Sequence, residues 1–216
     1  MTRTHAEARD FIRANTRVCA VAGLPLSFWQ ADEITPIWTA TEHDLEAARL
    51  APPFWAFAWA GGQAIARWLY EHPETVAGKR VLDLACGCGV AAIAAAQCGA
   101  ATSLANDIDP MCEAATLLNA ELNVVSVGWL GGDLVAGAPP DVDVILAGDV
   151  FYEKPMAEAF LAFLTRCKTA GTDVIVGDPG RAYFPRQGLT LLGDYAIPTT
   201  LELESMLVKQ TRVWRL

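Results

Sequence analysis

The stretch 81–99, VLDLACGCGVAAIAAAQCG, passes from a short apolar run through a glycine turn into an alanine-rich segment. Residues 80–84 read as a strand covered on both faces, and 89–98 as a helix. Between them, Cys86-Gly87-Cys88 allows three readings: a metal ligand pair, a redox motif, or a loop whose backbone holds a small molecule. A strand, a turn carrying Gly87 and Gly89, and a helix in direct succession favour the third. That order sets backbone N–H groups and a helix N-terminus against a ligand at the edge of a doubly wound sheet. A zinc site would need two more ligands in reach. His5, His43 and His72 all lie N-terminal and form no spaced pair, so no metal is expected.

Downstream the alternation continues. Strands are predicted at 102–106, 124–127, 142–148 and 172–177, and helices at 110–122 and 154–168. Such alternation implies a parallel sheet with right-handed crossovers. Beyond Pro185, residues 194–203 and 206–215 read as an antiparallel hairpin at the sheet edge. Upstream, residues 2–20 read as a helix in which Thr4 and Glu7 are spaced as a capping box. Residues 24–38 are extended, and a second capped helix is predicted at 41–49. Pro52-Pro53 ends it, the aromatic run 54–59 crosses a loop, and a further helix runs from near Gly62 to Pro73. The fold class is therefore α/β: a Rossmann-like seven-stranded sheet of five parallel strands and a C-terminal hairpin, with an N-terminal helical extension. Residues 1–216 form one domain, with 1–50 as the extension and 51–216 as the ligand-binding core.

The totals narrow the partners. Of 216 residues, 53% are hydrophobic and 19% charged, a globular composition. The net charge of −9 argues against nucleic acid, which would want a basic stripe. No apolar run reaches the roughly 18 residues of a membrane span. The N-terminal stretch lacks an apolar region of a secretory signal, and six cysteines show no framework spacing, so a reduced cytoplasmic protein is expected, with a monomer as the default state.

Acidic residues decide between ligands. Gly87-x-Gly89-x-x-Ala92 matches a dinucleotide fingerprint, which alone is a weak signal. Asp83 ends the first strand of the alternation, Asp107 and Asp109 end the second, Asp133 follows the third, and Asp149 follows the fourth. Any one of them reads equally well as a helix cap or loop carboxylate. Together they line one sheet edge, where a pyrophosphate would be repelled. S-adenosylmethionine presents an ammonium, a ribose diol, an exocyclic amine and a sulfonium, and no phosphate.

With these features in place, the chain resembles the class I seven-stranded S-adenosylmethionine-dependent methyltransferases. Asp83-x-Ala85-x-Gly87-x-Gly89 is similar to their first motif, with Ala85 in place of the usual first glycine. More closely, residues 24–181 resemble the electron transfer flavoprotein beta-subunit lysine methyltransferase family. The resemblance is carried by PFWAFAWAGGQAIARWL (53–69), VLDLACGCGVAAIAAA (81–96), LANDIDP (104–110), GDVFYE (148–153) and VGDPGRAYF (176–184). It implies a protein-lysine N-methyltransferase with S-adenosylmethionine as cofactor and the flavoprotein's beta subunit as protein substrate. Trp59 and Gln63 would close over the methionine end and the adenosine. Asp83 and the backbone at Ala85 and Gly87 would hold the aminocarboxylate region. Asp107 would accept from the ribose hydroxyls with Ile108 against the adenine face, and Asp133 with Leu134 would meet the adenine edge. Asp149-Val-Phe-Tyr152 matches the Asp/Glu-x-x-Tyr/Phe motif presented to the substrate amine, so Asp149 and Tyr152 are the implied catalytic pair. Trp55 reads as a core aromatic. Asp178-Pro179-Gly180 reads equally as a plain turn or a substrate-facing loop. The rival readings are another methyltransferase of this fold, a nicotinamide-binding oxidoreductase, and a non-catalytic cofactor-binding module.

Overall fold

In the computed structural model, residues 3–31 and 53–216 are described. The predicted helix at 41–49 lies outside them. Strand β3 (Arg80–Leu84) is central, and its residues from Val81 onward are buried because helices cover both faces of the sheet. It pairs in parallel with β4 (Thr102–Asn106) on one side and β6 (Val144–Gly148) on the other. Outside these lie β5 (Gly128–Trp129), parallel to β4, and β7 (Asp173–Asp178), parallel to β6. Strands β8 (Thr190–Pro198) and β9 (Val208–Arg215) complete the order β5-β4-β3-β6-β7-β9-β8, both pairings of β9 being antiparallel. Five parallel strands and a terminal hairpin are thus present as expected. The chain moves outward from β3 through β4 to β5, then returns to the other side at β6. That reversal opens a crevice at the carboxyl ends of β3 and β6.

Helices cover the sheet for local reasons. Helix α3 (Val90–Gln97) is buried from Val90 through Ala95, so its alanines pack on every side and leave no polar face. Helix α4 (Pro110–Leu122) starts where Asp109 caps Met111 N and Pro110 fixes the first turn. Helix α5 (Lys154–Thr169) ends with Arg166 and Lys168, cations placed at its negative pole. Helix α2 (Ala60–Glu71) presses so closely on the sheet that Gly61, Gly148 and Gly177 meet backbone to backbone. A Cβ on Gly148 would lie 2.7 Å from Gly62 N.

Three expectations require correction. Helix α1 (His5–Asn15) has the predicted Thr4–Glu7 capping box but stops well short of residue 20. Residues Arg17–Ala20 form strand β1, paired with β2 (Ser27–Gln30), and Thr16 Oγ1 donates to Ile12 O at the break. The β-branched Thr16 and Val18 favour this, and β2 seats a fully buried Phe28. Polar side chains of α4 and its C-terminal cap then hold β2: Trp29 N donates to Asn119 Oδ1 at 2.8 Å, and Ser27 N to Asn123 Oδ1 at 3.0 Å. Strand β5 falls at 128–129 rather than 124–127, because Val124 takes a left-handed φ of 57° and spends that segment leaving α4. The C-terminal hairpin is also shifted. Residues Leu201–Glu204 form a single helical turn, α6, capped by Thr200, so the strands end and restart on either side of it.

Candidate active site

A cavity of about 500 Å³ opens at the carboxyl ends of β3, β4 and β6, within the usual size range of small-molecule sites. Its floor is the turn after β3. Here Ala85, Gly87 and Gly89 all have positive φ, at 57°, 54° and 83°. The conformation turns the chain sharply beneath the hollow, and at Ala85 it costs about 1 kcal/mol or more. A side chain at Gly89 would collide with Thr116, its Cβ falling 2.6 Å from Cγ2.

Carboxylates border this turn. Asp83 is buried, its Oδ2 accepting from Ala92 N at 2.9 Å, and burial aided by the neighbouring Asp107 pushes its pKa up to about 7. Asp107 braces the turn, with Oδ2 accepting from Gly87 N at 3.1 Å and Oδ1 from Asp109 N at 3.1 Å. Asp109, capping α4, is raised to about 6, chiefly by burial. Asn106 Nδ2 donates to both Leu130 O and Gly132 O, tying the end of β4 to the loop that carries Asp133. Asp133 is exposed and caps its own turn at Val135 N, 3.0 Å away.

The other wall is aromatic and charged. Trp59 Nε1 donates to Phe54 O at 2.9 Å, the two rings meeting edge-on at 5.6 Å, and the Tyr152 ring lies 5.7 Å from that of Phe54. Behind them Asp149, with φ at 58°, sits at the end of β6. Its Oδ2 accepts from Gly61 N at 2.5 Å, and its Oδ1 accepts from Arg181 Nε and Nη2 at 2.9 and 2.6 Å. Burial raises the Asp149 pKa, against the opposing pull of Arg181.

These features match known proteins. The profile of the ribosomal protein L11 methyltransferase (PrmA) family matches residues 67–151. The chain is 43% identical over 169 residues to the electron transfer flavoprotein beta subunit lysine methyltransferase of Danio rerio, covering 76% of this chain and 66% of that protein. It is 35% identical over 220 residues to the protein of the same name from Homo sapiens, covering 96% of this chain and 81% of that one. The chain belongs to the electron transfer flavoprotein beta subunit lysine methyltransferase family. The fold also resembles that of magnesium protoporphyrin IX methyltransferase from Synechocystis, at a TM-score of 0.54 and 15% identity, over 85% of this chain and 97% of the other. This is the seven-stranded methyltransferase fold.

Within this family member, the structure gathers Trp59, Asp83, Ala85, Gly87, Asp107, Ile108, Asp133, Leu134, Asp149 and Tyr152 around one cavity. Ile108 is 74% exposed, an apolar side chain left open beside Asp107 at the mouth. Gln63 is not among them. One turn beyond Trp59 on α2, it is buried against a smaller hollow and donates through Nε2 to Ala58 O at 2.6 Å, so Gly62 faces the cavity instead. Trp55 is a core residue at 2% exposure. Cys86 and Cys88 point at Thr116 Oγ1 and Phe57 O, and burial raises both thiols. Among the described residues, no group of three or more His, Cys, Asp or Glu could hold a metal. Sequence reading missed Phe54, Arg181 and Glu204. The GRAYF half of VGDPGRAYF was the available signal for Arg181; Glu204 gave none.

Proposed function

We propose that this chain is an S-adenosylmethionine-dependent protein-lysine N-methyltransferase acting on the beta subunit of electron transfer flavoprotein. One observation carries the reading: acidic residues from the ends of four parallel strands line a single hollow together with the aromatic residues Phe54, Trp59 and Tyr152. The residues fit the cofactor. Asp83 and the peptide groups of the 85–89 turn would hold its aminocarboxylate part, Asp107 its ribose, and Ile108, Asp133 and Leu134 its adenine. Carboxylates this close together disfavour a dinucleotide pyrophosphate, which sets the oxidoreductase reading aside.

When bound, S-adenosylmethionine supplies an electrophilic methyl on a sulfonium, open to in-line attack by a neutral amine. The chain must therefore deliver the amine aligned and unprotonated. Free lysine is neutral in only about one molecule in 10³ at pH 7, a handicap of roughly 4–5 kcal/mol. The aromatic rim strips water from the lysine stem and accepts its cation by cation–π contact, which lowers the cost of entry. Desolvation there lowers the amine pKa. Asp149 accepts an N–H of the arriving group and fixes the direction of its lone pair, with the proton leaving to water. Tyr152, 42% exposed, closes the rim from the solvent side.

The beta-subunit substrate is the one named for the relatives, and the rim's acidic interior suits a lysine. Incubating the chain with S-adenosylmethionine and purified electron transfer flavoprotein, then weighing the intact subunits, tests this. Methyl increments on the beta subunit are expected. Their absence, with S-adenosylhomocysteine binding intact by calorimetry, would overturn the substrate; binding of NAD in its place would overturn the cofactor.

A further inference from the structure

We propose that Arg181, steadied by Glu204, is a positioning residue that sets Asp149 for the substrate amine and leaves it one free acceptor direction. This rests on the methyltransferase reading above and deepens it.

An ionised carboxylate offers about four acceptor positions. On Asp149, Arg181 fills both on Oδ1, through Nε at 2.9 Å and Nη2 at 2.6 Å. Gly61 N takes one on Oδ2 at 2.5 Å. Among the described residues, what remains is a single direction on Oδ2, on a side chain that is 11% exposed and lines the cavity. The backbone beneath it is fixed as well, since Asp149 N donates to Gly177 O at 3.0 Å.

Arg181 is itself held at both ends. Its backbone N donates to Asp178 Oδ1 at 2.8 Å, and its guanidinium donates through Nη1 and Nη2 to Glu204 Oε2 and Oε1 at 3.0 and 2.5 Å. Glu204 comes from α6, and its side chain is 2% exposed. Such burial separates this triad from surface ion pairs, which contribute little. Lys209 Nζ lies 3.4 Å from Glu204 Oε2 and shares that charge, so the guanidinium is left to favour the ionised form of Asp149 against burial. A third observation agrees: Arg181 Cζ lies 5.9 Å from the Trp59 ring, so the clamp backs onto the aromatic rim. Among the described residues, the charged or titratable groups around Asp149 are Arg181 and Asp178 from β7 and the loop after it, Glu204 from α6 with Lys209 of β9 behind it, and Tyr152 from its own loop. Helix α2 contributes only the Gly61 N–H.

The test compares Arg181→Met, Arg181→Lys and Glu204→Gln with the wild type, across pH, on the flavoprotein substrate. Without the guanidinium, only the Gly61 N–H opposes the burial of Asp149, and the carboxylate protonates at higher pH. The ratio of Arg181→Met to wild-type kcat/KM should therefore climb as pH rises, and Arg181→Lys should flatten it. Glu204→Gln should raise KM for the protein substrate about tenfold while S-adenosylhomocysteine affinity stays near wild type. Carboxyl carbon NMR of the free proteins, assigned with Asp149→Asn, reads the same Asp149 titration without any substrate. A wild type that methylates nothing while this NMR shift appears would sink the functional reading alone. A ratio flat in pH with no NMR shift, unchanged KM in Glu204→Gln, or cofactor affinity lost in step with activity in all three variants would overturn the clamp.

Discussion

Two non-glycine residues at the site adopt left-handed backbone: Ala85 in the cofactor turn and Asp149 at the end of β6. Strain of this kind persists where surroundings over-determine it, and both positions face the cavity. At Ala85 the strain is testable. Most Ala→Gly changes lower stability by about 0.5–1 kcal/mol through the unfolded chain. Here glycine also removes the left-handed penalty, so Ala85→Gly should be neutral or stabilising by up to about 1 kcal/mol. Urea unfolding checks it, and a loss of about 1 kcal/mol or more would mean that the methyl's packing outweighs the strain. The residue scale also marks what the sequence could reveal. Asp83, Asp107 and Asp149 were legible because each lies at or just beyond the carboxyl end of a mainly apolar strand. Glu204 was not, because its partner Arg181 lies 23 residues away and meets it only through the folding of β8.

Among elements, the parallel core was readable and the margins were not. Strands β3, β6 and β7 are mainly apolar and buried almost throughout, whereas β1 and β5 are short and half-exposed, so tertiary pairing decides them. Helix α2 shows how one element serves both fold and site. Its second residue donates to Asp149 Oδ2, and the approach is possible only without a side chain. A Cβ on Gly61 would lie 2.5 Å from Asp149 Oδ2 and 2.7 Å from Asp149 N. Gly61→Ala should therefore cost about 1–3 kcal/mol and displace Asp149, cutting methylation more than cofactor binding. Gly62→Ala is the control on the same helix. Its Cβ would meet only Val90 Cβ at 3.6 Å, an ordinary contact, so stability should stay within about 1 kcal/mol of wild type. Equal losses in the two variants would show that helix packing at large, rather than the contact with Asp149, sets the cost.

Across the whole molecule, the buried acids give stability a definite dependence on pH. Burial raises Asp83 to about 7 and Asp109 and Asp178 to about 6, and Asp149 also rises. Asp178 belongs with them structurally: it is 2% exposed, and its Oδ2 has no hydrogen-bond partner among the described residues. A carboxyl whose folded pKa lies above its unfolded value binds protons more tightly when folded. Its contribution is fully present below the unfolded pKa near 4 and is lost as pH rises through the folded value. The ligand-free protein should therefore unfold at a higher temperature at pH 5.5 than at pH 8, the difference amounting to a few kcal/mol in order of magnitude. Asp143 works oppositely. Arg80 holds it near 2, so its contribution fails only in stronger acid, well below this window. Calorimetry with and without S-adenosylmethionine makes the result specific. A cationic ligand favours the ionised carboxylates, so saturation should stabilise the protein more at pH 8 than at pH 5.5 and flatten the trend. A ligand-free midpoint that rises from pH 5.5 to 8 would mean these carboxyls are hydrated rather than buried, and would remove the electrostatic case for a cationic ligand.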